Sequence, residues 1–478
     1  MGRSSNHTIR SKSSQQRLLC VVELFAGVGG FRLGLCGTGK TRNKNCETVW
    51  FNQWEPSSKR QHAHEVYVTR FPVDKNETRE YSNMNIVEAV EAAQRGEFKL
   101  PDHDVLVGGF PCQDYSVART LSQATGIAGK KGVLWWEIRN ILELKQKEGA
   151  PVKYIFLENV DRLLKSPANQ RGRDFAIMLA TLADLGYSVE WRVINAADYG
   201  MPQRRRRIFI VGYHRTSPLH QMMNSLDPHH ILLEKGVIAS AFPVRPKSTS
   251  VNVGSVTGSY ADITEQFNKK NPNASPFYSA GVMRDRQFHT VPVIAKYHGK
   301  QATLGDFLLD EELVPEEYFI NENMKRWKYL KGAKNEPRKG SNGFEFTYTE
   351  GPIAFPDPLD KPSRTIVTGE GGRTPSRFKH VVRTPSGRYR RLTPVELERL
   401  CMFPDDHTAL EGISDVRRAF FMGNALVVGV IGRIGEALAT LHRRSSKSPS
   451  GPRQKTFSNS STPQPTRPKY DRVPAALF

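Results

Sequence analysis

Acidic residues are the first shortage in this chain of 478 residues: 48 Asp and Glu stand against 69 Lys and Arg, a formal charge of +21. The imbalance favours polyanionic partners, nucleic acid first and an anionic membrane surface second. Cysteine is also scarce. Cys20, Cys36, Cys46, Cys112 and Cys401 are odd in number and include no Cys-x-x-Cys pair, which argues against a disulfide framework or zinc knuckle and for a reducing compartment. No apolar run is long enough to cross a bilayer. The opening MGRSSNHTIRSKSSQQR lacks the apolar stretch of a secretory signal, and Asn6 stands where the N-acylation pattern needs Ser or Thr. No repeat of solenoid period is present, and a chain of this size needs no staples to fold. Residues 1–16 and 443–478 nearly lack aliphatic side chains and are rich in Ser and basic residues, with Pro abundant in the second. Both read as disordered basic tails, either solvated or in contact with phosphates.

Between the tails, residues 17–213 alternate β-type runs (LLCVVELF, ETVWF, HDVLVGGF, YIFLENV, VEWRVIN, RRIFIVGY) with helix-like segments (SKRQHAHEVYVTRF, MNIVEAVEAAQRG, VLWWEIRNILELKQK, DFAIMLATLADLG). Such alternation marks βαβ units. It predicts an α/β, Rossmann-like fold on a mostly parallel sheet, with ligands at the carboxyl ends of the strands. From 214 to about 385 Gly, Pro, Asn, Ser and basic residues dominate, and helix signals shrink to TLGDFLLDEEL and PEEYFINENMKRWKYL. A smaller, irregular second domain is expected there. Regular structure returns with LTPVELERLCMF, where Thr393 is placed to cap a helix, Pro394 to open it and Glu396 to close a capping box. GNALVVGVIGRIGEALATL reads as a last helix with small residues on one side.

The unusual residues cluster where apolar runs end. In VVELFAGVGGFRLGL (21–35), Gly27, Gly29 and Gly30 permit a tight strand-to-helix turn and close approach of a ligand. Arg32 occupies the position where the dinucleotide fingerprint needs a small residue, so a nucleoside ligand fits better than a pyrophosphate. A turn without a ligand accounts for the glycines equally well. Glu55, after ETVWFNQW, is placed to accept hydrogen bonds from ribose hydroxyls. In DVLVGGFPCQDYS (104–116), Cys112 follows Pro111 among Gly, Gln and Asp, whereas the other four cysteines read as core residues. YIFLENV ends in Glu158-Asn159. An acid closing a buried strand tends to hold its proton to higher pH, which suits proton donation near neutrality; Asn159 or Asp161 could equally cap a helix. In MPQRRRRIFIVGY (201–213), alternation sets Arg205 and Arg207 on one face and Arg204 and Arg206 on the other. Inward guanidiniums need anionic partners, Glu158 or phosphates; the outward pair reads as a solvated face.

In this order, these motifs closely resemble those of the C5-cytosine DNA methyltransferases: Phe25 to Gly30, Pro111-Cys112, Glu158-Asn159-Val160, Gln203-Arg205-Arg207, a variable stretch from about 214, RRLTPVELERLCMFP and Gly423-Asn424. Together they span most of residues 20–440. The resemblance implies methyl transfer from S-adenosylmethionine to C5 of a cytosine flipped out of double-stranded DNA, leaving S-adenosylhomocysteine and using no metal. It implies that Cys112 adds to C6 of the base and that Glu158 protonates or hydrogen-bonds N3. Asn159 would position the Pro-Cys loop, Arg207 hold O2 and orient Glu158, Arg205 stabilise the addition step or a phosphate, and Gln203 order the base-facing loop. Phe25, Ala26, Gly27, Gly29, Gly30, Glu55, Pro56, Asn85, Pro111 and Asn424 are implied around the cofactor, with Phe25 near the adenine, Glu55 on the ribose and Asn424 toward the methionine end. Two positions depart from the family pattern. Pro56 stands where relatives often carry an aromatic residue, and Asn85 where many carry Asp, although an Asn oxygen still accepts a hydrogen bond from the adenine amino group.

By the same resemblance, residues 17–213 and 418–442 form the catalytic domain and 214–417 the target-recognition domain and hinge. VARTLSQATGIAGKKG is implied as a loop closing over the DNA, with RDR at 284–286 and KYLKGAKNEPRKG at 328–340 as candidate DNA contacts. The expected setting is a monomeric, stand-alone prokaryotic or viral enzyme acting in the cytoplasm, away from membranes, with a restriction endonuclease acting on the same site as a candidate partner. The rival readings are a tRNA C5-cytosine methyltransferase, a DNA-binding relative without activity, and a Rossmann oxidoreductase, which Arg32 disfavours.

Overall fold

The computed structural model describes residues 17–37, 45–56, 58–72, 82–110, 134–339 and 343–447. Pro111, Cys112 and the loop expected to close over the DNA lie outside the described residues, as do 1–16 and 448–478.

Ten strands carry the argument: β1 (Leu19–Leu24), β2 (Cys46–Phe51), β3 (Val105–Gly109), β4 (Tyr154–Val160), β5 (Tyr187–Asn195), β6 (Arg206–His214), β7 (Val244–Pro246), β8 (Asn252–Ser255), β9 (Ala280–Arg284) and β10 (Gln287–Val291). All but β7, which pairs with Val293–Ala295, form one sheet in the order β2-β1-β3-β4-β6-β5-β9-β10-β8. β2, β1, β3 and β4 pair in parallel. β6 lies antiparallel between β4 and β5, and β9, β10 and β8 extend the sheet antiparallel. Six of the nine strands point one way, yet only three of the eight pairings are parallel, so the sheet is mixed rather than mostly parallel. Two of the five antiparallel pairings, β5–β6 and β9–β10, join consecutive strands by connections too short for a parallel crossover. The sheet also continues past residue 213, where the sequence placed a domain boundary.

Period-two alternation buries both faces of the sheet. Val22, Leu24, Leu106, Ile155, Leu157 and Ile210 pack toward helices Ile86–Gln94, Trp135–Lys147 and Arg173–Asp184. Val21, Val105, Val107, Phe156, Phe209 and Val211 pack toward helices Gly30–Cys36 and Val428–Lys447. Each such side chain contributes roughly 1.5–3 kcal/mol when fully buried, so this layered core is the rigid base of the site.

Several local expectations are met. YIFLENV is β4 residue for residue. The capping box at Thr393 closes, with the Thr393 N–H donating to Glu396 at 2.7 Å and the Glu396 N–H to the Thr393 hydroxyl at 3.4 Å. Others are not. TLGDFLLDEEL yields only the single turns Gly305–Phe307 and Glu311–Leu313. The following helix starts at Met324, because Asn323 adopts a left-handed backbone (φ 59°). The segment from Gly423 is two helices, Asp415–Asn424 and Val428–Lys447; the second runs past 443 and is held by Arg443 donating to Asn45 at 2.5 Å. RDR at 284–286 is the β9–β10 hairpin turn, with Asp285 and Arg286 at positive φ. Arg286 pairs with Asp184 at 2.6 Å and Arg284 donates to the Leu226 carbonyl at 2.7 Å. That turn lies near the amino end of β5, away from the strand ends described next.

Candidate active site

β1, β3 and β4 end side by side. Leu24 pairs with Gly108 and Gly109 with Glu158, and β6 starts at the same edge with Arg207 opposite Val160. The carboxyl edge therefore gathers Phe25, Phe110, Glu158, Asn159 and Arg207 from segments far apart in sequence, where open α/β sheets bind ligands.

On one side of this edge the polar groups hold one another. Arg207 Nε lies 2.9 Å from Glu158 Oε1, with the Glu158 side chain 14% exposed. Burial pushes the Glu158 carboxyl above the usual range, and the Arg207 and Arg205 charges oppose that shift in part. Gly109 leaves room for the acid: a Cβ there would stand 3.2 Å from Glu158 Oε2. Asn159 is buried, and its amide donates to the Phe110 carbonyl at 2.9 Å, one residue before Pro111-Cys112. Neither Asn159 nor Asp161 caps the turn Asp161–Lys165, which starts behind Val160 without a side-chain cap.

The arginine alternation holds. Arg205 is buried and Arg207 half-buried; Arg204 and Arg206 are exposed, with Arg206 pairing Asp161 at 2.7 Å. Arg205 donates to the carbonyls of Ile366 at 3.0 Å and Gly423 at 2.8 Å, and burial with the Arg207 charge lowers its pKa to about 10. At 2% exposure it cannot reach a phosphate, so that half of its expected role is corrected to a brace. Gln203 is also fully buried. Its amide donates to the Leu400 carbonyl at 3.2 Å and its oxygen accepts the Ile366 N–H at 3.2 Å. Gly423, whose carbonyl receives Arg205, lies so close to the neighbouring backbone that a Cβ there would stand 2.4 Å from the Thr368 nitrogen.

The other side of the edge is the turn after β1. Phe25, Gly27 and Gly29 all have positive φ. Gly29 is required by packing: its Cβ would meet the Phe71 ring at 2.3 Å. Gly27 is different, because a Cβ there would meet nothing within 4 Å. Its N–H donates to Gln53 at 2.7 Å, and the buried Ala26 bonds to the Asn52 carbonyl at 3.1 Å. Gly30 abuts Leu426, two residues beyond the exposed Asn424. His407 holds the turn by bonding the Val28 carbonyl at 2.8 Å, and burial lowers its pKa to about 4. Below the turn, Arg32 lies over the Phe71 ring at 4.8 Å. Buried Glu23 accepts from Tyr67 at 2.7 Å, its carboxyl pushed by burial to about 7.

Glu55 pairs with Arg417 and accepts the Ala63 N–H at 3.0 Å; Pro56 is exposed. The Asn85 side chain caps helix Ile86–Gln94 by accepting from the Val87 N–H at 3.1 Å. Trp54 and Met84, both 39% exposed, are large apolar residues not singled out from the sequence. The Gln53 N–H joins their two segments at the Ser82 carbonyl, 3.2 Å away. An aromatic before Glu55 instead of after it was the available signal. Arg417 and His407 gave none, since each meets its partner only through the fold.

Among the described cysteines, Cys36, Cys46 and Cys401 are buried and Cys20 is half-buried. Burial pushes every one of these thiols up, Cys46 to about 12. None is disposed to act as a thiolate. Of the candidate DNA contacts in 328–340, Lys331 is buried and donates to the Lys379 carbonyl, and Lys334 pairs with Glu350 at 2.9 Å. No single helix among the described residues is long and apolar enough to cross a membrane, and no three metal-ligating side chains gather there.

Residues 19–440 match the family model described as C-5 cytosine-specific DNA methylase. The Type II methyltransferase M.Sau3AI of Staphylococcus aureus is 44% identical over 421 residues, covering 87% of this chain and 95% of that protein. M.HhaI of Haemophilus parahaemolyticus is 33% identical over 205 residues, 42% of this chain and 51% of that protein. Among solved structures, a Spodoptera frugiperda DNMT2 variant superposes with a TM-score of 0.51 at 14% identity, covering 88% of this chain and 99% of that one, a likeness of fold.

Proposed function

The chain belongs to the C-5 cytosine-specific DNA methylase family and is a DNA (cytosine-5-)-methyltransferase, and from that premise we propose the roles of its residues. Cytosine C5 is a poor nucleophile. The Cys112 thiolate adds to C6, and the electron pair of the 5,6 double bond moves toward N3 and O2. Glu158 meets that pair with a proton at N3, and its raised pKa suits the task. Arg207 steadies Glu158 and faces O2. C5 is then enamine-like and accepts the methyl; loss of the C5 proton and expulsion of Cys112 restore the double bond. The base must leave the duplex for a thiolate to reach C6. The Asn159–Phe110 bond fixes the chain just before Pro111-Cys112, and Arg205 and Gln203 brace the same edge from beneath.

S-adenosylmethionine, when bound, supplies an electrophilic methyl on a sulfonium. The residues fit it: Gly27 opens onto free space, Glu55 is the acid for the ribose, and exposed Trp54 and Met84 offer apolar surface for the adenine. Phe25, Ala26, Gly29, Gly30, Pro56, Pro111 and Asn424 surround the same region in this reading, and Asn85 keeps a lone pair for the adenine amino group beyond its cap. The enzyme acts as a cytoplasmic monomer on a short duplex sequence and shields it from a restriction endonuclease. The observation that carries the reading is the Glu158–Arg207 pair beside the Asn159 strap. Duplex DNA carrying 5-fluorocytosine tests it. Fluorine cannot leave C5 as a proton does, so wild-type protein should form a denaturant-stable adduct with cofactor present. Cys112→Ala should form none; an adduct in that variant would contradict the mechanism.

A further inference from the structure

We infer that Arg417 is a positioning residue for the cofactor, holding the Glu55 carboxylate in the orientation that receives the ribose diol; this rests on the assignment of Glu55 to the ribose. The Arg417 guanidinium reaches Glu55 Oε1 from helix Asp415–Asn424, 362 residues away in sequence. It is not a loose surface contact. The guanidinium lies 4.8 Å from the Phe420 ring centre and 5.0 Å from that of Phe421, and the two partners are 25% and 14% exposed. The backbone of Glu55 is fixed as well: Gln61 accepts its N–H at 2.7 Å and donates to its carbonyl at 3.0 Å.

The carboxylate is thus held at both oxygens, Oε1 by Arg417 and Oε2 by the Ala63 N–H at 3.0 Å. A carboxylate offers about four lone-pair sites. One remains on each oxygen, which matches two neighbouring hydroxyl donors. With both anchors in place the acid meets the diol without first losing rotamer freedom, so the ordering cost is met before binding. The helix that carries Arg417 also ends in Asn424 and gives its Gly423 carbonyl to Arg205. One element therefore sets the cofactor acid on one side and braces the base-side arginine on the other.

The test is steady-state methyl transfer to DNA with Arg417→Met, Glu55→Gln and the double variant, alongside calorimetric binding of S-adenosylhomocysteine. Removing one charge-assisted hydrogen bond should raise the cofactor KM and the S-adenosylhomocysteine Kd about tenfold in Arg417→Met, with the DNA KM and the kcat at saturating cofactor moving less than about twofold. In the Glu55→Gln background, Arg417→Met should add nothing. Arg417→Gln, which keeps a polar side chain without the charge, carries the same expectation should the Met variant fail to fold. Unchanged or tighter cofactor binding in the Arg417 variants, with Glu55→Gln weakened, overturns the inference alone. No effect of Glu55→Gln overturns the ribose assignment and the inference with it.

Discussion

The two halves of the carboxyl edge are built differently. On the base side, the polar groups belong to strand ends and satisfy one another: Glu158 with Arg207, and Asn159 with the backbone of Phe110. On the cofactor side, the residues expected to touch ligand are engaged by distant parts of the chain. Glu55 answers to Arg417 and the Val28 carbonyl beside the glycine turn to His407, while Asn85 is the exception and caps its own helix. The groups facing the base are carried by the sheet's own strand ends, with Arg205 and Gln203 braced behind them by residues 366–423, whereas the cofactor half depends directly on the docking of segments 394–424 against the turn after β1. Changes on the base side should therefore fall on kcat, and changes on the cofactor side on cofactor affinity.

The largest expected effect is Cys112→Ser, which should abolish turnover while leaving DNA binding, read by gel shift, largely intact, because a hydroxyl is a far weaker nucleophile than a thiolate. Glu158→Gln comes next, with kcat down about a thousandfold, within the range for a positioned acid. The sign with pH follows from the raised Glu158 pKa. The protonated acid persists above the usual carboxylate range, so single-turnover rates should fall as pH rises through that raised value, and Glu158→Gln should flatten the limb. The same shift makes the group's contribution to stability present at low pH and lost as pH rises through the folded value.

A paired substitution sharpens the contrast within one strand. Arg205→Met should lower unfolding free energy by about 3 kcal/mol in denaturant titrations, since two buried carbonyls lose their donor. Arg207→Met, at a half-buried position, should change stability by under about 1 kcal/mol yet reduce kcat strongly. Equal losses of stability would erase the distinction between brace and active group. The smallest effect is Asn85→Ala: loss of the cap should cost about 1 kcal/mol in thermal unfolding, with the cofactor KM rising only a few-fold.

Legibility in the sequence follows the same division. Strand ends are local, so Glu158-Asn159, the arginine alternation and the Thr393 capping box can be read from period and spacing. The mixed sheet could not be, because periodicity does not report strand direction, and β9 and β10 come from a region with weak patterning. RDR at 284–286 looked like a basic patch; it is a hairpin turn whose arginines serve the backbone and Asp184. Arg205 was read as facing substrate, but its partners at 366 and 423 are set by tertiary packing. His407 and Arg417 have no local signature, and Trp54 had only its place just before Glu55.

The most direct test of the central claim is labelled methyl transfer from S-adenosylmethionine to unmethylated genomic DNA, followed by base-resolution mapping. The account predicts methyl groups at C5 of cytosine within one short recurring sequence. Label appearing in tRNA instead, or in neither nucleic acid, would contradict it.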